Sequence, residues 1–351
     1  MKTLASKWMP GLAFLARRLG MTALTLLGLV TLVFAMVKAI PGDEAQVAAG
    51  PEASPAQVEA VRQRMGLDAP IIVQYGRFVG RVLQGELGTS ISTLQPVRDD
   101  VLNVFPATLE LVVVTLVLSL LLAVPAAVAA ATWRDSAFDR ACRVSAVAAG
   151  GMPTFWLALL AQYVLASRWG LLPISGQQSL DFTVPVRTQM PMVDALLAGN
   201  IAAFADATRH IVLPALSLAA FFGAQFFRTL RASLIAILES DFIVPVRAKG
   251  ASFTRIMLRH ALPNSIGPTV TLVGVLLGMM IGSSVLVESV FGRQGVGAYL
   301  TNAVEQKDTY AVLGAVLFVG TAVCISNVLV DLLLLAVDPR IRAAQLQGSK
   351  R

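Results

Sequence analysis

The chain has 351 residues, of which 56% are hydrophobic, 14% charged and 7% aromatic, with a mean hydropathy of +0.72. An ordinary soluble domain carries about 25% charged residues, so a water-soluble enzyme or binding module is excluded. A formal charge of +7 does not indicate a nucleic-acid binder, because the 28 Lys and Arg residues are interleaved with apolar runs and form no single basic surface. The counterpart of that charge is a membrane. Cys142 and Cys324 form no CxxC pair, and neither a disulfide framework nor a zinc site is implied.

In chain order, residues 1–18 are basic and lead into an apolar stretch, as a secretory signal also does. That stretch, 19–37, is longer than the roughly 7–15 apolar residues of a signal, and no small-residue cleavage site follows it, so a retained first span is expected. A helix crossing ~30 Å of hydrocarbon needs roughly 20 apolar residues. Six stretches meet or approach this: 19–37, 109–131, 144–166, 211–227, 266–287 and 311–337. The fourth is the shortest at 17 residues, and the third contains Gly150, Gly151 and Pro153. No internal repeat relates the two halves.

Orientation follows from Lys and Arg, which concentrate in short cytoplasmic loops. With the N-terminus inside, the inner segments hold seventeen basic residues and the outer loops after span two hold five. Both termini are therefore expected in the cytoplasm. The first outer loop, 41–106, carries Val58, Val61 and Met65, then Val79, Val82 and Leu83, at helical spacing, which predicts a small folded cap outside the membrane. The second outer loop, 167–210, begins with Pro173, Gly176, Pro185 and Pro191 and then permits a short helix over 193–207. Such surfaces suit either an external partner or a solvated connector.

The inner loop 228–265 is strongly basic, with apolar positions at Phe242, Ile243, Val246, Phe253, Ile256, Met257 and Leu262. Two short amphipathic helices fit. Asp241 is placed to cap the first, the basic pair Arg247 and Lys249 follows, and Gly250 ends it. The second runs from Ser252 toward Ala261, with Pro263 stopping it before span five. By geometry this is either a knob for a socket on another protein or a helix lying on anionic lipid.

Several stretches carry a resemblance. Asp241-Phe242-Ile243, Arg247-Ala248-Lys249-Gly250-Ala251-Ser252 and Arg259-His260-Ala261-Leu262-Pro263-Asn264 resemble the EAA loop of ABC importer permeases. Pro41-Gly42-Asp43, Met65-Gly66-Leu67-Asp68, Pro106-Ala107-Thr108-Leu109-Glu110, Glu288-Ser289-Val290-Phe291 with Gly295-Val296-Gly297, and Asp338-Pro339-Arg340 extend the likeness over residues 19–342. The chain is similar to the dipeptide, oligopeptide and nickel permeases of binding-protein-dependent importers. Val244, Pro245 and Val246 stand where the EAA residues fall, and Pro245 suggests that the first helix starts late.

The resemblance implies an all-α membrane protein with six transmembrane helices. Its fold would be the type I ABC importer (MetI-like) fold, with a periplasmic cap between helices 1 and 2. The implied divisions are a cytoplasmic 1–18, a first helix at 19–40, a cap at 41–106, a permease core at 107–337 with a coupling loop at 228–265, and a cytoplasmic 338–351. The chain would be half of a pore for di- or oligopeptides or similar solutes in a bacterial inner membrane. Implied partners are a homologous second permease, two cytoplasmic ATP-binding subunits holding ATP and Mg, a periplasmic substrate-binding protein and membrane lipid, but no nucleic acid. Asp241, Val246, Arg247, Ala248, Lys249, Gly250, Leu262 and Pro263 would dock on an ATPase, and no cofactor would bind this chain.

Within the spans, Gly274, Gly278 and Gly282 recur every four residues and offer one face for close helix packing. Lys38, Glu110 and Glu288 lie near outer ends where water is in reach, and Asp331 is deeper, with Asn327 or Arg340 as partners. An ion-coupled transporter using Asp331 or Glu288 is the rival reading, and a scaffold without transport a third. Catalysis lacks support: there is no phosphate-binding G-x-x-x-x-G-K-[ST] loop and no H-E-x-x-H. Ser283 and Ser284 have no histidine at their depth, and His210 and His260 fall on opposite faces.

Overall fold

The computed structural model describes residues 5–39, 44–50, 52–182 and 184–337. Among these the regular structure is helical, with one isolated bridge pair, Thr89 opposite Pro96. The first half contains α1 (Ala5–Ala39), α2 (Glu44–Ala49), α3 (Pro55–Met65), α4 (Ile71–Leu83), α5 (Val97–Thr132), α6 (Ala137–Gly151) and α7 (Thr154–Ala161), the last continued by a π turn at Gln162–Arg168. Then follow α8 (Pro191–Leu197), α9 (Ile201–Leu238), α10 (Ile243–Ala248) and α11 (Phe253–Arg255). A π turn at Ile256–Ala261 leads into α12 (Leu262–Phe291), and α13 (Val296–Glu305) and α14 (Thr309–Val337) complete the order.

Among the described residues, five helices are long and apolar enough to cross a membrane, and α6 with α7 and its π turn makes a sixth if that bent pair is one span. The all-helical membrane fold expected from the sequence is the fold found. Two spans differ from their predicted form. The third is not one helix over 144–166: its two arms meet at 110°. Met152 is extended (φ −98°, ψ 140°) because the ring of Pro153 disfavours the helical conformation in the residue before it.

The fourth, predicted at 17 residues, is a helix of 38 residues over Ile201–Leu238. Hydropathy undercounts it because its polar residues are satisfied within the fold: His210 Nδ1 pairs with the Asp206 carbonyl at 2.9 Å, and Arg231 meets Asp139. The short helix expected over 193–207 is likewise two pieces. Gly199 turns left-handed (φ +66°) after α8, and the Asn200 side chain, accepting the Ala203 N–H at 3.0 Å, starts α9.

The apolar series is distributed over two compact units, one of residues 1–103 and 299–324, the other of 104–298 and 325–351. In the first, Val30 and Val33 of α1 pack with Leu313 and Leu317 of α14, and Phe78, Val79 and Val82 of α4 lie against them. Phe34 of α1 stacks edge-on with Tyr75 of α4, ring centroids 5.3 Å apart. Leu83, of the same sequence pattern, is 82% exposed. The buried Asp308 precedes α14 and accepts hydrogen bonds from the Ser90 hydroxyl and the Ile91 N–H, both at 2.7 Å, and from the Ala311 N–H at 3.0 Å. Burial alone would raise this carboxyl, but the Ser90 hydroxyl and the Ala311, Ser92 and Ile91 amides hold it below its ordinary value.

In the second unit α9 is the hub. Buried residues run along it from Ala203 to Leu234, and 72% of its most apolar stretch is covered by protein. Gly223 of α9 faces Ser119 of α5, where a Cβ would stand 3.5 Å from the Ser119 carbonyl oxygen, an ordinary van der Waals contact.

Candidate functional site

The loop after α9 folds as a short helix on an apolar base. Ile243, Ile256, Met257 and Ala261 are buried, whereas Asp241, Phe242, Val244, Pro245, Arg247, Ala248, Lys249 and Gly250 are exposed and Val246 is half-buried. One face of α10 is thus seated and the other presents two cations among apolar side chains. Asp241 does not cap α10. Phe242 occupies the cap position, and no side chain closes that end, because the first helical residue is Ile243, two positions beyond Asp241.

Nor does Pro245 delay the helix. It is the third residue, in a first turn whose N–H groups have no intrahelical acceptor to lose. Gly250 closes the turn with φ +76°, its N–H donating to the Arg247 carbonyl at 3.0 Å. Ser252 then caps α11, its hydroxyl accepting the Arg255 N–H at 3.4 Å.

Pro263 does not stop the second helix; it lies in the first turn of α12, and the helix passes through it. The π turn makes this tolerable. The Leu262 N–H reaches back five residues to the Met257 carbonyl, and the widened turn accommodates a residue that cannot donate. Around the proline, the Asn264 amide donates to the His260 carbonyl and the Ser265 hydroxyl to the Ala261 carbonyl, both at 2.7 Å. Leu262 is half-buried and Pro263 exposed. The loop is therefore continuous in backbone with the fifth span.

The glycine series of α12 is not uniform. Gly274 is buried, and a Cβ there would overlap Val330 of α14. Gly278 is buried too, while Gly282 is exposed with open space beside it. The Asp331 side chain and its expected partner Arg340 lie outside the described residues.

Glu110 and Glu288 are not in reach of water, contrary to expectation. They are 6% and 0% exposed, and between them lies Arg293, 1% exposed. Arg293 Nη2 stands 3.6 Å from Glu110 Oε2; Glu110 Oε1 accepts the Met192 N–H at 2.9 Å, and Glu288 Oε2 accepts the Gly297 N–H at 2.9 Å. Burial pulls the Arg293 guanidinium below its ordinary pKa, while the Glu110 and Glu288 charges oppose that shift. Gly297 has no room for a side chain, since a Cβ would run into the Val285 carbonyl. The cluster fixes the turn between α12 and α13. By its place in the chain Arg293 reads as an outer-loop charge, although a lone arginine five residues after Glu288 is a usable signal for such a pair.

A second buried pair was also missed. Asp139, at the start of α6 and fully buried, accepts two hydrogen bonds from Arg231 of α9, Nε to Oδ1 and Nη2 to Oδ2, each 2.6 Å. Among the described residues no group of three or more His, Cys, Asp or Glu could hold a metal.

A polytopic helical membrane protein with a seated loop helix and charges buried for packing is the class that this fold defines. Residues 11–112 match the family described as the N-terminal part of the binding-protein-dependent transport system membrane component. Residues 119–343 match the binding-protein-dependent transport system inner membrane component. The chain belongs to this family: it is a multi-pass inner-membrane permease subunit of an ABC importer, with a role in transport rather than catalysis.

It is 35% identical over 332 residues to the di/tripeptide transport system permease protein DppB of Pseudomonas aeruginosa, covering 94% of this chain and 99% of that one. It is 38% identical over 319 residues to the probable D,D-dipeptide transport system permease protein DdpB of Escherichia coli, covering 91% and 94%. To the glutathione transport system permease protein GsiC of Salmonella paratyphi A it is 34% identical over 328 residues, covering 93% and 98%.

Proposed function

We propose that this subunit forms half of a translocation pathway for di- or oligopeptides or similar small solutes. A homologous second permease would supply the other half, and an external binding protein would deliver the solute. The substrate class rests on the relatives, whose names specify dipeptides, tripeptides and glutathione. Both termini and the loop carrying α10 face the cytoplasm in this reading, as the distribution of Lys and Arg supports.

Two cytoplasmic subunits bind ATP and Mg, and one of them receives α10 with Asp241, the segment from Val246 to Gly250, and the flanking Leu262 and Pro263. The observation that carries this is the two-sided character of α10, anchored through Ile243 and open through Val244, Arg247 and Lys249. When the ATP-binding subunits close and reopen, a helix seated in their groove moves with them. Unbroken backbone from Phe253 to Phe291 delivers the motion into the fifth span, which switches the cavity between its two openings. The relatives do not favour an ion-coupled carrier.

The test is co-purification in mild detergent followed by reconstitution with the binding protein. Retained ATP-binding subunits and ATP-dependent uptake of a labelled dipeptide are expected. Uptake by the isolated chain under an ion gradient would refute the assignment.

A further inference from the structure

We propose that Asp139 and Arg231 are the positioning pair through which displacement of the α10 loop reaches the bent third span. This inference rests on the transport reading above. Arg231 lies about two turns from the end of α9, just ahead of the loop. Arg231 is seven residues before the end of a helix that finishes at Leu238, and α10 begins five residues after that.

The partner sits at the other end of the relay. Asp139 is in the first turn of α6, and its N–H donates to the capping Ser136 hydroxyl at 3.1 Å. Its Oδ2 accepts the Asp135 N–H at 3.0 Å, in a turn where Asp135 itself is left-handed (φ +60°). Arg143, one turn along α6, places its Nε 3.6 Å from the same oxygen. The α5–α6 turn and the start of α6 are therefore organised around one carboxylate, and Arg231 holds that carboxylate with both arms of its fork. From there α6 runs as a single helix to the 110° bend at Met152 and Pro153.

Geometry separates this pair from its neighbour. Arg134 and Glu239 also join the α5–α6 turn to the end of α9, but their side chains are 49% and 60% exposed. An exposed ion pair is a loose tether, held by side chains that exchange it for water and salt. Asp139 is fully buried and the Arg231 side chain only 14% exposed, and two parallel bonds fix distance and angle together. A bidentate buried pair resists both sliding and rotation of α9 against α6, which is what transmission requires and what a single exposed contact cannot give.

The experiment uses the whole transporter in vesicles with its binding protein and reads peptide imported per ATP hydrolysed. Asp139→Asn with Arg231→Gln removes both charges, so that neither is stranded. This double variant is expected to assemble with the ATP-binding subunits and to hydrolyse ATP, while the imported-to-hydrolysed ratio falls about tenfold, a change of about 1.4 kcal/mol in coupling. Arg231→Lys, which keeps the charge but not the fork, should fall in between, and Arg134→Ala should keep the wild-type ratio. A variant damaged only in folding loses import and hydrolysis together and leaves the ratio unchanged. An unchanged ratio in a double variant that assembles and hydrolyses ATP like the wild type, or an equal fall in Arg134→Ala, overturns the proposal. Failure of the wild-type complex to import at the expense of ATP would instead refute the transport reading itself.

Discussion

Gly274 and Gly282 share a helix face by their spacing, yet they meet different surroundings. A Cβ at 274 would overlap Val330, whereas nothing lies within 4 Å of one at 282. Gly274→Ala should therefore cost roughly 1–3 kcal/mol by overpacking, seen as a lower Tm of the purified protein in detergent. Gly282→Ala should leave stability within about 0.5 kcal/mol, as substitutions away from contacts usually do. Equal shifts in Tm would show that the face is packed uniformly. The sequence could mark this stripe because its period is local, but what opposes each glycine is decided 56 positions away, where Val330 falls in α14.

At the same scale, Asp308 gives a pH dependence. Its carboxyl is held below the ordinary 3.8 by the donors around it, so its stabilisation is complete above that pH and fades as the pH falls through the lower folded value. Asp308→Asn should lose about 2 kcal/mol at neutral pH, since a charged acceptor of several hydrogen bonds is replaced by an amide. The gap between wild type and variant should narrow below pH 3.8. A gap constant with pH would show that the charge is irrelevant. Lone buried acids such as Asp308, Glu110 and Asp139 were illegible in advance, because a sequence shows a carboxylate but not the amides and guanidinium groups that converge on it.

Among the elements, the apolar runs were legible in number and order, and their ends were not. Helix α9 extends well past the apolar run because Asp206, His210 and Arg231 find partners in the fold. Gly150, Gly151 and Pro153 stand in the third run, but the sequence predicts one helix over 144–166 and not the 110° bend. In the α10 loop the left-handed Gly250 was foreseen from residue type, and the passage of a helix through Pro263 was not, since a π turn has no signature of its own.

Gly250 carries the prediction at this scale. Its φ of +76° is unfavourable for a residue with a side chain, although open space surrounds it. Gly250→Asp adds a side chain in the left-handed region, at a smaller strain than most residues would bring, and a negative charge beside Arg247 and Lys249. Uptake should fall at least about tenfold, the equivalent of 1.4 kcal/mol, with membrane levels unchanged on immunoblots. Normal uptake would remove the docking role of this tip. A loss that tracked lower membrane levels would make it a folding defect.

For the molecule as a whole, the membrane class follows from composition, and the direction of insertion from charge. Seventeen basic residues against five predict the side on which α10 emerges. Lys249→Cys, in a background with Cys142 and Cys324 replaced by serine, should react with an impermeant maleimide only after permeabilisation. Labelling in intact cells would invert the topology and end the assignment of α10 to the ATP-binding subunits.

The length of α9 has a mechanical corollary. Thirty-eight residues rising 1.5 Å each make a rod of about 57 Å, nearly twice the ~30 Å of hydrocarbon that it traverses. Such a rod reaches both aqueous surfaces at once, like a tiller whose handle and rudder share one shaft. Under the transport reading proposed above, events at the two surfaces would then act on one continuous stretch of helix.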